Sequence, residues 1–319
     1  MPLLLTREEV RPLLDLAKAV ELTEAAFHEQ ANGDVVPHAP YHIPFKTGGV
    51  LRVVSGALLG SRRAGVRLGP AQGLGGDRMY ALLFDSVTGD LLSVMSYPFG
   101  TLRTAAHVAL AARHMARADA QTVGLLGSGR NAFGLLEGIL LMRKITRVTV
   151  FSRDPERRKA FCARATEKLT VDVVPADGPE QAVRANDLVL TATNSLAGLF
   201  PAEYLEPGMH VSSMGKPSEL GPDVYLKADR VVVGCKEHER NYFDRAAPLP
   251  LETLDKSGKL RWEQIHEMGD VVSGRIKGRE KREEITLFRE SQGGFGDVAF
   301  AAWIYDEAKR RGLGKEIAF

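Results

Sequence analysis

The sequence predicts an α/β fold of two domains: a doubly wound parallel sheet, and a discontinuous α+β domain rich in strands. Three observations predict it. The run Thr122-Val123-Gly124-Leu125-Leu126 is apolar and breaks into Gly127-Ser128-Gly129-Arg130-Asn131-Ala132, a strand turning sharply into a helix. A second apolar, β-branched run, Arg147 to Phe151, follows that helix and closes a βαβ unit of about 30 residues. Before them, several short strand-like runs succeed one another without intervening helices, the pattern of an antiparallel sheet. At 319 residues the chain is long enough for two domains.

Read in order, Thr6-Arg7-Glu8-Glu9 is a capping box, followed by Val10, Leu13, Leu14, Ala17, Val20 and Ala25 at helical spacing. Residues 37–49 form a Pro-, Gly- and His-rich connector. Strands are expected over Gly49–Val54, Ala64–Leu68, Tyr80–Asp85 and Leu91–Tyr97, with Thr88-Gly89-Asp90 turning between the last two. An alanine-rich helix spans Thr104–Arg117. Further strands are expected at Val171–Val174, Asp187–Ala192, His210–Ser213 and Arg230–Val233. Lys277–Glu284 reads as a charged loop. The chain closes with Ile285-Thr286-Leu287-Phe288 and an amphipathic helix over Asp297–Arg311 that should return to the first region. The expected domains are 1–118 plus 297–319, and 119–296.

The glycine turn carries chemistry. Gly127 permits the tight turn, Gly129 lets backbone approach a pyrophosphate, and Ala132 allows close packing of helix on sheet. The helix N-terminus adds N–H groups and a positive dipole end. The unit is therefore of the dinucleotide-binding Rossmann type, with Ser128, Arg130 and Asn131 beside the phosphates. At the end of the second strand, Ser152-Arg153 stands where NAD-selective units place a carboxylate, with Arg157 and Arg158 beyond. A hydroxyl and a guanidinium suit a 2′-phosphate, so NADP(H) is favoured over NAD(H). A plainer alternative has Ser152 as a helix cap and the arginines on a solvated face.

Hydrophobic content of 44%, charged content of 26% and a net charge of +2 fit an ordinary soluble enzyme. Basic residues are dispersed, which argues against nucleic acid as a partner. The two cysteines, Cys162 and Cys235, show no metal-ligand spacing, and no metal is expected. No apolar run approaches a membrane span and no signal segment is seen, so a cytoplasmic protein is expected.

Several segments together resemble the ornithine cyclodeaminase/μ-crystallin family over nearly the whole chain. They are Leu102-Arg103-Thr104-Ala105-Ala106, the Gly127-x-Gly129 loop, Ala185-Asn186-Asp187 before Thr191-Ala192-Thr193, Gly208-Met209-His210-Val211, Glu219-Leu220, and Ile285 to Phe288 followed by Gly296-Asp297. The resemblance implies a homodimer joined through the strand-rich domain, and hydride chemistry at nicotinamide on the C=N or C–N bond of a small amino or imino acid. It places Thr104, Thr191, Ala192, Thr193, Met214 and Gly215 beside the cofactor.

A substrate of that kind needs a cationic grip for its carboxylate and a proton donor near nitrogen. Arg103 and Arg67 are the candidates for the grip, with Arg52 a third on weaker grounds. Arg67 sits between apolar neighbours, so it either points inward to an anion or outward from a half-exposed strand. The family usually has lysine at the Arg67 position, and arginine is no ready proton donor. The loop Met214-Gly215-Lys216-Pro217-Ser218-Glu219-Leu220 lacks the aspartate of the ornithine-cyclising members. Lys216 either replaces it as an acid or phosphate contact or is an exposed loop cation. The family's early arginine has no match, and His42 lies close to that place. A ketimine reductase or amino-acid dehydrogenase is the first expectation. An ornithine cyclodeaminase-like ammonia lyase and a non-catalytic NADP-binding protein are the alternatives.

Overall fold

The computed structural model describes residues 1–46, 48–71, 78–242, 246–291 and 293–318. By its contacts the chain divides into two units: unit one is Met1–Arg103, Cys235–Phe243 and Ser291–Phe319, and unit two is Thr104–Gly234 and Asp244–Glu290.

Unit one begins with β1 (Leu3–Leu5) and α1 (Arg7–Val10), whose capping box from Thr6 forms as its sequence directs. The helix does not continue. Pro12 cannot donate an i→i−4 bond, so the chain tightens into a 3₁₀ turn at Arg11–Leu13 and extends at Leu14. Asp15 then caps a new helix, α2 (Leu16–Asn32), by accepting from the Lys18 N–H at 2.8 Å. The connector expected over 37–49 is partly strand: β2 (Val35–Pro37) and β3 (Tyr41–Pro44) both pair antiparallel with β4 (Val50–Leu58). Pairing across strands, rather than local propensity, sets this edge. β5 (Arg63–Ala71), β6 (Tyr80–Asp85) and β7 (Leu91–Ser96) continue the antiparallel sheet, and β1 closes it parallel to β7.

α3 (Gly100–Met115) contains the division point between the units. The sequence places the boundary after this helix, at 118/119, whereas in the structure Thr104 onward belongs to unit two and 235–243 to unit one.

Unit two opens with β8 (Thr122–Leu126), α4 (Ala132–Met142), β9 (Arg147–Phe151), α5 (Pro155–Leu169), β10 (Asp172–Pro175), α6 (Pro179–Val183) and β11 (Leu188–Thr191). It continues through β12 (His210–Ser213), α7 (Pro222–Lys227) and β13 (Arg230–Val233). α8 (Lys236–Arg240) falls in unit one. α9 (Pro250–Lys256), β14 (His266–Glu267), α10 (Met268–Val272) and β15 (Thr286–Arg289) complete unit two. Its strands are parallel in the order β10-β9-β8-β11-β12-β15-β13-β14. The first six repeat the doubly wound order, which reverses between β8 and β11. Strands buried on both faces explain their near-continuous apolar runs, such as Leu188, Val189 and Leu190 at 0% exposure. Apolar side chains including Val189, Val211, Leu287 and Trp262 join one core on this sheet.

The chain ends in unit one with α11 (Phe295–Arg311) and β16 (Lys315–Glu316), the latter pairing with β1. α11 packs on β4, β5 and α2. Among the described residues no helix is long and apolar enough to cross a membrane.

Candidate active site

The sheet of unit one has two unlike faces, because side chains alternate along each strand. Register pairs Val54 with Arg67 and Arg67 with Ala81, while His42 lies opposite Arg52 two residues from Val54. His42, Arg52 and Arg67 therefore share one face, the face covered by α11. The helix start is seated closely. At Gly294, φ is +84° and a Cβ would stand 2.0 Å from the Ser55 carbonyl oxygen, so only glycine fits.

That seat puts Asp297, in the first turn of α11, among cations. Its carboxylate accepts from Arg67 Nε at 2.8 Å, from Arg103 Nη1 at 3.1 Å and from the Tyr97 hydroxyl at 2.8 Å. Asp297 is 3% exposed and Arg67 is 6% exposed. Burial by itself would raise the Asp297 carboxyl, but Arg103, Arg67 and the Tyr97 hydrogen bond outweigh it and hold the carboxyl far below the usual range. Burial and the adjacent carboxylate push the Tyr97 phenol well up. Burial and the two neighbouring guanidinium groups push Arg52 down to about 10, so it too is charged at neutral pH. Three guanidinium groups thus share the field of one carboxylate. The inward alternative for Arg67 is the one observed, and Arg67 and Arg103 come together. The anion they hold is the protein's own Asp297, which sequence reading noted only as a family mark.

In unit two, Gly127 turns with φ +111°, and a Cβ there would stand 2.7 Å from the Ala192 carbonyl oxygen. A Cβ at Gly129 would meet nothing within 4 Å. Asn131, the N-cap of α4, makes no side-chain cap bond, and Ala132 is fully buried. An open approach over Gly129, directly before the start of α4, fits a dinucleotide pyrophosphate. The Ser128 hydroxyl donates to Ser152 Oγ at 2.9 Å, joining the turn to the end of β9. Asp154, not Ser152, caps α5, accepting from the Arg157 N–H at 3.0 Å. Arg153 and Arg157 are exposed. Arg158 is buried and spent inside, donating to the Ser152 carbonyl at 2.6 Å.

Beyond the switch point, Ala192 N–H donates to Leu126 O at 3.0 Å and Met214 N–H to Thr191 O at 2.8 Å, which brings the ends of β8, β11 and β12 together. Thr191 and Thr193 turn their hydroxyls to Glu219. Thr104 is buried on α3. Lys216 is half-buried at the turn after β12 and lies in unit two, not in the unit that holds the arginines. Among the described residues no group of three or more His, Cys, Asp or Glu side chains is placed to hold a metal ion.

Comparison with known proteins identifies relatives of this chain. Residues 1–312 match the ornithine cyclodeaminase/mu-crystallin family. The chain is 33% identical to a Delta(1)-pyrroline-2-carboxylate reductase of Bacillus cereus over 244 residues, 75% of this chain and 73% of that one. Its fold matches that of Thermococcus litoralis Delta(1)-pyrroline-2-carboxylate reductase in complex with NADH and L-proline, with a TM-score of 0.88, 26% identity and 99% and 100% of the two chains covered. It also matches an archaeal alanine dehydrogenase dimer with bound NAD, with a TM-score of 0.86, 28% identity and 100% and 99% covered. The chain belongs to the ornithine cyclodeaminase/mu-crystallin family.

Proposed function

We propose that this member of the ornithine cyclodeaminase/mu-crystallin family is an NADP(H)-dependent oxidoreductase acting on the C=N or C–N bond of a small amino or imino acid. The observation that carries the reading is the buried arginine cluster of unit one. Arg67 and Arg103 both bond the Asp297 carboxylate and Arg52 feels the charge of both arginines, so the cluster carries more positive charge than its own carboxylate neutralises, an excess that dinucleotide binding alone does not call for. Asp297 engages Nε of Arg67 and Nη1 of Arg103, orienting both planes while leaving positive charge in excess for a substrate carboxylate. Bound nicotinamide would supply or accept the hydride. In this reading Arg67 and Arg103 grip the carboxylate, and Lys216 of unit two is kept as a candidate acid or phosphate contact.

Preference for NADP(H) rests on Ser152 and Arg153 at the end of β9, which stand where NAD-selective units place a carboxylate, while the next carboxylate, Asp154, is engaged in capping α5. Two relatives of known structure carry NADH and NAD. Dimerisation rests on the second face of the unit-one sheet. There Tyr41, Val53, Leu68 and Tyr80 lie side by side, next to Val66, Leu82 and Val94, with Tyr41 61% and Tyr80 48% exposed. An open apolar sheet face of this breadth calls for a partner, and a second copy supplies it symmetrically.

The test is loss of reduced-nicotinamide absorbance with NADPH or NADH against cyclic imino acids, and against 2-keto acids with ammonia. Imine turnover faster with NADPH supports the proposal. Ammonia release from ornithine without net absorbance change would replace it with cyclodeamination, and binding without any turnover with the non-catalytic alternative.

A further inference from the structure

The turn ending β12 is held from both sides by buried opposite charges. Glu219, 0% exposed, accepts five hydrogen bonds. Its Oε1 takes Thr191 Oγ1 at 2.6 Å, Ser213 Oγ at 2.9 Å and the Gly215 N–H at 2.8 Å. Its Oε2 takes the Thr193 N–H at 2.9 Å and Thr193 Oγ1 at 3.0 Å. Arg289, 2% exposed at the end of β15, donates from Nη1 to the carbonyls of Ser213 at 3.2 Å and Gly215 at 2.8 Å. The peptide groups of residues 213–215 are thus pinned by a carboxylate through an N–H and by a guanidinium through two carbonyls. The same carboxylate ties down the end of β11.

Burying two charges is expensive, and apolar residues would hold a core equally well. Here the charges are spent at the C-terminal ends of β11 and β12. These strands belong to the second mononucleotide half of the sheet, across the switch point from the glycine turn. We infer that Glu219 and Arg289 are positioning residues for the nicotinamide half of the cofactor, fixing the 191–193 and 213–215 backbone that receives it. The inference rests on the reading that unit two binds NADP(H).

Glu219→Gln tests it in the full chain. The amide keeps the shape but turns an NH2 group toward donors whichever way it lies. Calorimetric titration compares NADPH with 2′-phospho-ADP-ribose, which lacks nicotinamide and reports the adenine half alone. The variant should bind NADPH about 10- to 100-fold more weakly and the fragment within about twofold of the original protein. The fluorescence of bound NADPH should also move toward that of free NADPH. Arg289→Lys keeps the charge, loses the planar fork and should show the same split more weakly; it carries the test if Glu219→Gln does not fold. Equal weakening of both ligands, or none of either, overturns the inference. If the original protein binds neither ligand, the NADP(H) reading falls and the inference with it. If the original protein binds both and the variants do too, only the inference falls.

Discussion

Asp297→Ala should destabilise unit one by about 3–5 kcal/mol, the cost of breaking a buried ion pair by removing one partner. The structure places the effect at the upper end. The lost carboxylate is the shared acceptor of Arg67, Arg103 and Tyr97, and Arg52 adds a third positive charge to the same field. The favourable α11 dipole interaction with a first-turn carboxylate disappears as well. Against this, the variant no longer has to desolvate the carboxylate, which keeps the loss within that range. The assay is urea unfolding followed by fluorescence in a Trp262→Phe background. Trp303 on α11 then reports unit one by itself, since the chain has two tryptophans. Formate should enter the space between the arginines and recover part of the loss, whereas chloride at equal ionic strength should not. A loss under about 1 kcal/mol, the value of an exposed pair, would refute the argument. So would equal effects of formate and chloride.

Arg103→Ala should lower kcat/KM by about 30- to 1000-fold, corresponding to about 2–4 kcal/mol of transition-state binding, with little change in cofactor affinity; steady-state kinetics on the identified substrate checks it. Ser152→Asp with Arg153→Ala should move preference toward NAD(H), read as the ratio of NADPH to NADH affinities by calorimetry. Burial, with Arg279 and Arg143 nearby, pushes His210 down from 6.5 to about 3. The unfolded chain then takes up a proton below about pH 6.5 that the folded chain refuses, so stability falls from there toward about pH 3. His210→Gln should flatten that slope in urea midpoints measured across the interval. Leu82→Asp, on the open sheet face, should reduce the mass seen by light scattering from a dimer to a monomer.

Local sequence determined the parts of this protein whose physics is local. The Gly127 turn between an apolar strand and a helix, the Asp154-Pro155 helix start and the near-continuous apolar runs of the parallel strands follow from backbone freedom, capping and burial on two faces. The order of those strands in the sheet is set by tertiary pairing. The capping box at Thr6 was equally legible, yet Pro12 and Asp15 decided that it starts only a four-residue helix. In sequence Arg67 reads as costly to bury without an anion if it points inward, and Arg103 stands out through the family resemblance. Their partner could not be named, because Asp297 lies 230 residues from Arg67 and 194 from Arg103 along the chain. In sequence Asp297 reads as an acid at the start of a helix and Glu219 as a loop carboxylate, each standing out only as a mark of the family resemblance. Charge is visible in a sequence, but the energy of a charge depends on burial and on the neighbours that the fold supplies. That is why the cation cluster around Asp297, and the five donors around Glu219, were decided only by tertiary structure.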